Sequence, residues 1–166
     1  MIAVDSNVLV YAHQRDSPWH EVASEVIKDV AESGRAWALP WPCVGEFLAV
    51  VTSPRVFEQP SSMSAALDQV DIWVESPSLS LLGESAGTWP LLRELLIVAA
   101  VTGARVHDAR IAAICLAHSV RELWTADRDY GRFPTLRTRN PLTRNLKGRG
   151  REFVQVAPAS VTWGDG

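Results

Sequence analysis

Apolar positions along this chain fall into two alternating rhythms, one of strands and one of helices. Met1-Ile2-Ala3-Val4 is a short apolar run of the kind a strand buried on both faces requires. Asp5 and Ser6 follow at once, both good helix caps, ahead of Val8-Leu9-Val10-Tyr11-Ala12, which predicts a first helix. Ser17-Pro18 starts a second helix, in which Val22, Val26, Ile27 and Val30 keep the 3.6-residue period until Gly34. Residues 36–39 read as a strand. Pro40 and Pro42 then lead into a helix over 43–52 that Ser53-Pro54 closes. Further helices are predicted over 62–74, 90–103 and 107–119, with strands over 79–82, 123–125 and 153–156 and a turn or helical start over 127–132. No internal repeat or linker divides the chain. Strands separated by helices imply βαβ units, so the expected fold is α/β. Its central parallel sheet should have four to five strands, with helices on both faces. Sites in such sheets lie outside the carboxyl ends of the strands, which draws attention to the residue after each strand.

Carboxylates stand at those places. Asp5 directly follows the first strand, where a helix cap is the plainer role. Glu46 is the only charge between Leu39 and Pro54, in a helix apolar nearly all round, and a buried carboxylate is costly unless a cation or donors meet it. Asp108 opens a late helix, three residues before Ile111 and seven before Cys115, and so falls on the inward stripe. Asp127 follows the strand 123–125, with Asp129 two residues on. Carboxylates crowded on one sheet edge raise each other's pKa, and a hard divalent cation relieves the repulsion. A carboxylate set without His or Cys favours Mg²⁺ or Mn²⁺ over zinc, which points to hydrolysis of a phosphodiester by a metal-activated water. Other chemistries fit less well. The chain has no G-x-G-x-x-G, P-loop or G-x-S-x-G motif, and His13, His20, His107 and His118 show no zinc-binding spacing.

Charge refines this picture. The net charge is −3, but residues 1–131 carry −8 while residues 132–151 carry +7 with no acid. That segment holds Arg132, Arg137, Arg139, Arg144, Lys147, Arg149 and Arg151, together with Pro134, Pro141, Gly148 and Gly150. It reads either as a solvated loop or as an arm that contacts phosphates, with Arg137, Arg139 and Arg144 the candidate RNA contacts. Composition bounds the rest. With 166 residues, 47% hydrophobic and 21% charged, the chain suits a single domain that needs no disulfide or metal to fold. Its longest apolar run, Leu95 to Val101, is too short to span a membrane, and the N-terminus lacks the features of a signal peptide. Cys43 and Cys115 lie in apolar helical patterns and read as reduced core residues, so a cytoplasmic protein is expected. Trp73, Trp89, Leu92, Leu95 and Leu96 are candidates for an exposed apolar patch and hence a homodimer interface.

The motifs resemble a known family. Ile2-Ala3-Val4-Asp5-Ser6-Asn7 looks like the D-x-N opening of PIN domains, and Glu46 and Asp108 fall where that pattern places its next acids. Thr125-Ala126-Asp127-Arg128-Asp129-Tyr130 resembles the T-x-D-x-D-[FY] segment of VapC-type toxins of type II toxin–antitoxin pairs. The resemblance implies a PIN-like three-layer sandwich over residues 1–166, with an Arg-rich insertion at about 134–151 before the last strand. It implies a Mg²⁺-dependent endoribonuclease (Mn²⁺ is the other candidate) acting on cellular RNA and inhibited by a cognate VapB-like antitoxin. Asp5, Glu46, Asp108 and Asp127 would form its acidic site, with Asp5, Asp108 and Asp127 as metal ligands. Asn7 and Thr125 would position the Asp5 and Asp127 side chains, and Asp129 would be a further member. The competing readings are a catalytically silent PIN-like RNA-binding or scaffold module and a metal-dependent phosphatase or receiver-like domain. The four acids count against the silent module. Asn7, where a second Asp would be wanted, counts against the phosphatase.

Overall fold

The computed structural model describes residues 1–143. Five strands, β1 (Ile2–Val4), β2 (Trp37–Pro40), β3 (Leu79–Leu82), β4 (Glu122–Trp124) and β5 (Thr138–Arg139), form one sheet in the order β3-β2-β1-β4-β5, with every neighbouring pair parallel. Six helices flank it: α1 (Ser6–His13), α2 (His20–Glu32), α3 (Trp41–Val51), α4 (Met63–Val74), α5 (Thr88–Val98) and α6 (Arg105–Ala117). The period-two alternation of the strands sorts their side chains into two cores. Val4, Trp37, Leu39 and Trp124 face one way, onto Val8, Phe47 and Trp73. Ala3, Ala38 and Leu123 face the other, onto Leu95, Ile111, Ile114 and Cys115. The result is a three-layer α/β sandwich.

Strand order fixes where a site can form. The chain lays β2 and β3 on one side of β1, then crosses over to lay β4 and β5 on the other. The carboxyl ends of β1 and β4 therefore meet at the point where the order reverses, the crevice that open parallel sheets offer to ligands. Asp5, just past β1, donates its backbone N–H to the carbonyl of Trp124 at 3.0 Å, which ties the two strand ends together.

Several elements differ from the expected ones for identifiable reasons. α2 begins at His20, because the Ser17 hydroxyl accepts from the Trp19 N–H and holds 17–19 as a turn. α5 stops at Val98, although the apolar run continues. Ala100 takes a left-handed φ of 49°, and bonds from Val101 N–H to Leu96 O and from Ala100 N–H to Ile97 O close a Schellman motif. α6 starts at Arg105, which puts Asp108 within its first turn rather than at its opening.

β5 lies inside the Arg-rich segment that was expected as an insertion. Thr138 pairs with Leu123 and Arg139 with Trp124. Arg144 and the strand expected at 153–156 lie outside the described residues. Trp73 and Leu95, expected on an exposed patch, are core residues at 5% and 7% exposure, because each turns toward the sheet on its helix. Trp89 does stand out at 65%, joined on α5 by Ile97 and Val98.

Candidate metal centre

Asp5 sits at the bottom of the crevice, 3% exposed. Donors fix its carboxylate from three sides. Oδ1 accepts from the Ser6 N–H at 2.8 Å, while Oδ2 accepts from Asn7 Nδ2 at 2.6 Å and from the Thr125 hydroxyl at 2.7 Å. Thr125 follows β4 as Asp5 follows β1, so the sheet register itself brings this pair together. The Thr125 hydroxyl also accepts from Asn7 Nδ2 at 2.9 Å and from the Asp127 N–H at 3.0 Å, and Asn7 Oδ1 accepts from the Ala126 N–H at 3.0 Å. Asn7 and Thr125 thus stitch the segment 125–127 to the start of α1.

Glu46 reaches the same place from the second turn of α3. It is half-buried, and its Oε2 accepts from the Ser6 hydroxyl at 2.8 Å. A carboxylate oxygen of Asp5, one of Glu46 and the Cys43 sulfur lie within 4.8 Å of one another. Burial raises the pKa of Asp5 and of Glu46. Asp108 approaches from α6, and its pKa is raised to about 7, first by burial and then by Asp127, Asp5, Glu46 and Asp129 in that order. The structure thus sets Asp108 in the field of the other four acids.

Asp127 is exposed and its Oδ1 accepts from the Asp129 N–H at 2.8 Å, an Asx turn that leads into the 3-10 turn Asp129–Arg132. Asp129 turns its own carboxylate to Arg105 and Arg132. Arg137 and Arg139 are committed elsewhere. Both pair with the buried Glu122, at 3.1 Å and 4.0 Å, and the Arg139 guanidinium lies over the Trp124 ring.

Two contributors had little or no sequence signal. Ser6 reads as a helix cap, yet its hydroxyl holds Glu46, a contact across 40 positions that local pattern cannot reveal. Cys43 reads as core, and it is fully buried, but its thiol also donates to Asp5 Oδ1 at 3.6 Å. Its i,i+3 spacing from Glu46 was the available hint. Burial pushes the Cys43 thiol well above its ordinary range, so among hard-cation ligands it supports Asp5 and does not compete with it.

The donor set fits a small divalent cation. It consists of carboxylate oxygens, two of them close together, and it carries a repulsion that only a cation or a proton relieves.

A switch-point crevice that draws acids from the ends of β1 and β4 and from α3 defines a class of α/β domain with an acidic site at one sheet edge. Residues 2–136 match the PIN domain family, and the chain belongs to that family. Its relatives include Ribonuclease VapC43 of Mycobacterium tuberculosis, 34% identical over 142 residues, covering 86% of this chain and 96% of the relative. Ribonuclease VapC48 of the same species is 30% identical over 139 residues, covering 84% and 96%. Among solved structures, VapBC2 from Rickettsia felis, bound to a DNA fragment from its promoter, superposes with a TM-score of 0.62. It is 20% identical and covers 84% of this chain and 98% of its own.

Proposed function

We propose that this chain is a metal-dependent endoribonuclease, the toxin half of a toxin–antitoxin pair, which hydrolyses phosphodiester bonds in cellular RNA. The observation that carries this reading is the close approach of the Asp5 and Glu46 carboxylates at the switch point, with Asp108 and Asp127 near enough to feel their charge. A silent binding module gains nothing from negative charge concentrated where phosphates must come. The VapC ribonucleases among its relatives support the same reading.

Each residue has a part. Three donors hold Asp5 in one orientation, so its oxygens are arranged before any ligand arrives. Ser6 does the same for Glu46. Asp108 carries a proton for part of the time at neutral pH and releases it when positive charge enters the crevice. Asp5, Asp108 and Asp127, with Glu46 beside them, would hold Mg²⁺ or Mn²⁺. Bound there, the ion would supply a more acidic water and screen the charge of the phosphodiester.

The remaining expectations belong to the same reading. The chain acts as one domain in the cytoplasm and meets a VapB-like antitoxin. It pairs with a second copy, and the exposure of Trp89 is consistent with that. Among the described residues, no helix is long and apolar enough to cross a membrane. The test is cleavage of total cellular RNA by the purified chain in Mg²⁺ and in EDTA. Discrete fragments in Mg²⁺ alone, absent with Asp108→Asn, are expected. Equal fragmentation in EDTA would end the reading. Light scattering at micromolar concentration checks the dimer, and a monomer there would contradict it.

A further inference from the structure

We propose that Arg105 and Arg132, gathered by Asp129, form a binding site for one RNA phosphate beside the carboxylate cluster. The inference rests on the nuclease reading and names where the substrate backbone is held. Asp129 Oδ2 meets Arg105 Nε at 3.6 Å, and Oδ1 meets Arg132 Nε at 3.9 Å. One carboxylate shared by two guanidiniums leaves a surplus positive charge within this trio, the Asp127 carboxylate being directed to the Asp129 N–H. A phosphodiester monoanion would balance it, giving two cations and two anions.

Arg110 provides the contrast. It pairs with Glu84 and also acts on Glu46, so its charge is already met by carboxylates. In both Arg105 and Arg132 the nitrogen nearest Asp129 is Nε, so the Nη ends lie further out. Their side chains are 50% and 45% exposed, which leaves those ends in reach of solvent and of a ligand. A guanidinium fork suits phosphate oxygens. Ion pairs this loose and this exposed contribute little to stability, so folding alone does not account for a two-to-one arrangement.

The site lies next to the acids. Arg105 is three residues before Asp108 on α6, hence on the same face of the helix. Asp129 is held through its backbone N–H by Asp127, and it is one of the charges that act on Asp108. A phosphate on the two arginines would therefore place the neighbouring linkage of the strand near the carboxylates. That division lets an acidic crevice receive an anion, since one phosphate is held by positive charge while the next meets the metal ligands.

The experiment measures binding of a labelled single-stranded RNA of mixed sequence in EDTA, across a salt series, by fluorescence anisotropy. Replacing both residues, Arg105→Ala with Arg132→Ala, should weaken binding about tenfold. It should also lower the slope of log affinity against log salt by about 0.7, the value for one phosphate contact on a single strand. The charge-preserving pair, Arg105→Lys with Arg132→Lys, should restore the slope. Each single Ala variant should weaken binding and lower the slope by part of that amount, which keeps the test decisive if the double variant does not fold. An unchanged slope and affinity in a folded Ala variant would overturn the proposal. Cleavage by the unaltered chain in Mg²⁺, measured in parallel, reports separately on the nuclease reading. A chain that cleaves RNA but shows no slope change sinks the arginine site alone.

Discussion

Asp108 and Asp5 are both acids in one crevice, and burial acts first on each. For Asp108 repulsion from the neighbouring acids adds to burial. Its pKa of about 7 in the folded chain, against 3.8 when unperturbed, means that the folded state binds the extra proton. Its contribution is therefore fully favourable below about pH 4 and is lost as pH rises through 7. Without metal, the melting temperature should fall between pH 5.5 and 8. Asp108→Asn should flatten that fall and raise stability at pH 8 by on the order of 1 kcal/mol, after discounting for the solvent that reaches the group. At about 2–4 °C per kcal/mol, differential scanning fluorimetry would resolve it, and a steeper pH dependence in the variant would contradict the assignment. For Asp5 hydrogen-bond donors oppose the effect of burial. From charge alone, Asp5→Asn should stabilise the metal-free chain slightly. The structure adds an opposing effect, because an amide nitrogen in place of Oδ2 would confront Asn7 Nδ2. The two effects offset each other, so Asp5→Asn is expected to abolish cleavage with little change in melting temperature. Thr125→Val keeps the shape but removes a donor to Asp5 and an acceptor for Asn7 and Asp127. It should cost about 2 kcal/mol in thermal denaturation.

At the scale of elements, helix ends and the sheet edge are where sequence and structure part. The apolar spacing of α2, α3, α4 and α6 was legible because tertiary packing uses the stripe that the period marks. The end of α5 was not, since a left-handed Ala100 carries none of the signal a glycine would. Ser119, at φ 54°, ends α6 in the same way, with Val120 N–H bonded to Cys115 O. Ala100→Gly and Ser119→Gly should each stabilise the chain by on the order of 0.5 kcal/mol, as relief of the left-handed strain outweighs glycine's chain entropy. Unchanged or lower melting temperatures would argue against these caps. β5 was illegible because two polar residues, Thr138 and Arg139, sit among arginines, prolines and glycines that read as loop. Its arginines have a structural use. Arg139→Ala should cost about 1 kcal/mol by removing a partner of buried Glu122 and the contact with Trp124. Arg137, 76% exposed, should cost much less. A combined Arg137, Arg139 and Arg144 alanine variant would thus mix lost stability with any lost RNA affinity, which is a reason to test Arg105 and Arg132 first.

For the whole molecule, the location of the site was readable and its wiring was not. Alternating strands and helices already implied a parallel sheet, and acids after the first and fourth strands already marked one edge. The hydroxyl of Ser6 on Glu46 and the two-to-one grip of Asp129 on its arginines depend on three-dimensional neighbours, which spacing does not encode. The body's charge of −8 through residue 131 would make metal binding a global event as well as a local one. Millimolar Mg²⁺ should raise the melting temperature more at pH 8 than at pH 6, because at the lower pH it competes with the proton on Asp108. EDTA should reverse the shift, and a larger stabilisation at pH 6 would count against the carboxylate site.

The bond between Thr125 and Asp5 joins residues 120 positions apart, and it ties the second strand neighbour of β1 to the chain's own beginning. The crevice therefore has no early version. A nascent polypeptide whose first helices have already folded still carries Asp5 without Thr125, and Glu46 and Asp108 without Asp127. Contacts of such long sequence separation close late, after the loop between them has been brought together. A chain still under synthesis therefore lacks the Thr125 side of the crevice until residues 125–127 have been made and β4 has joined β1.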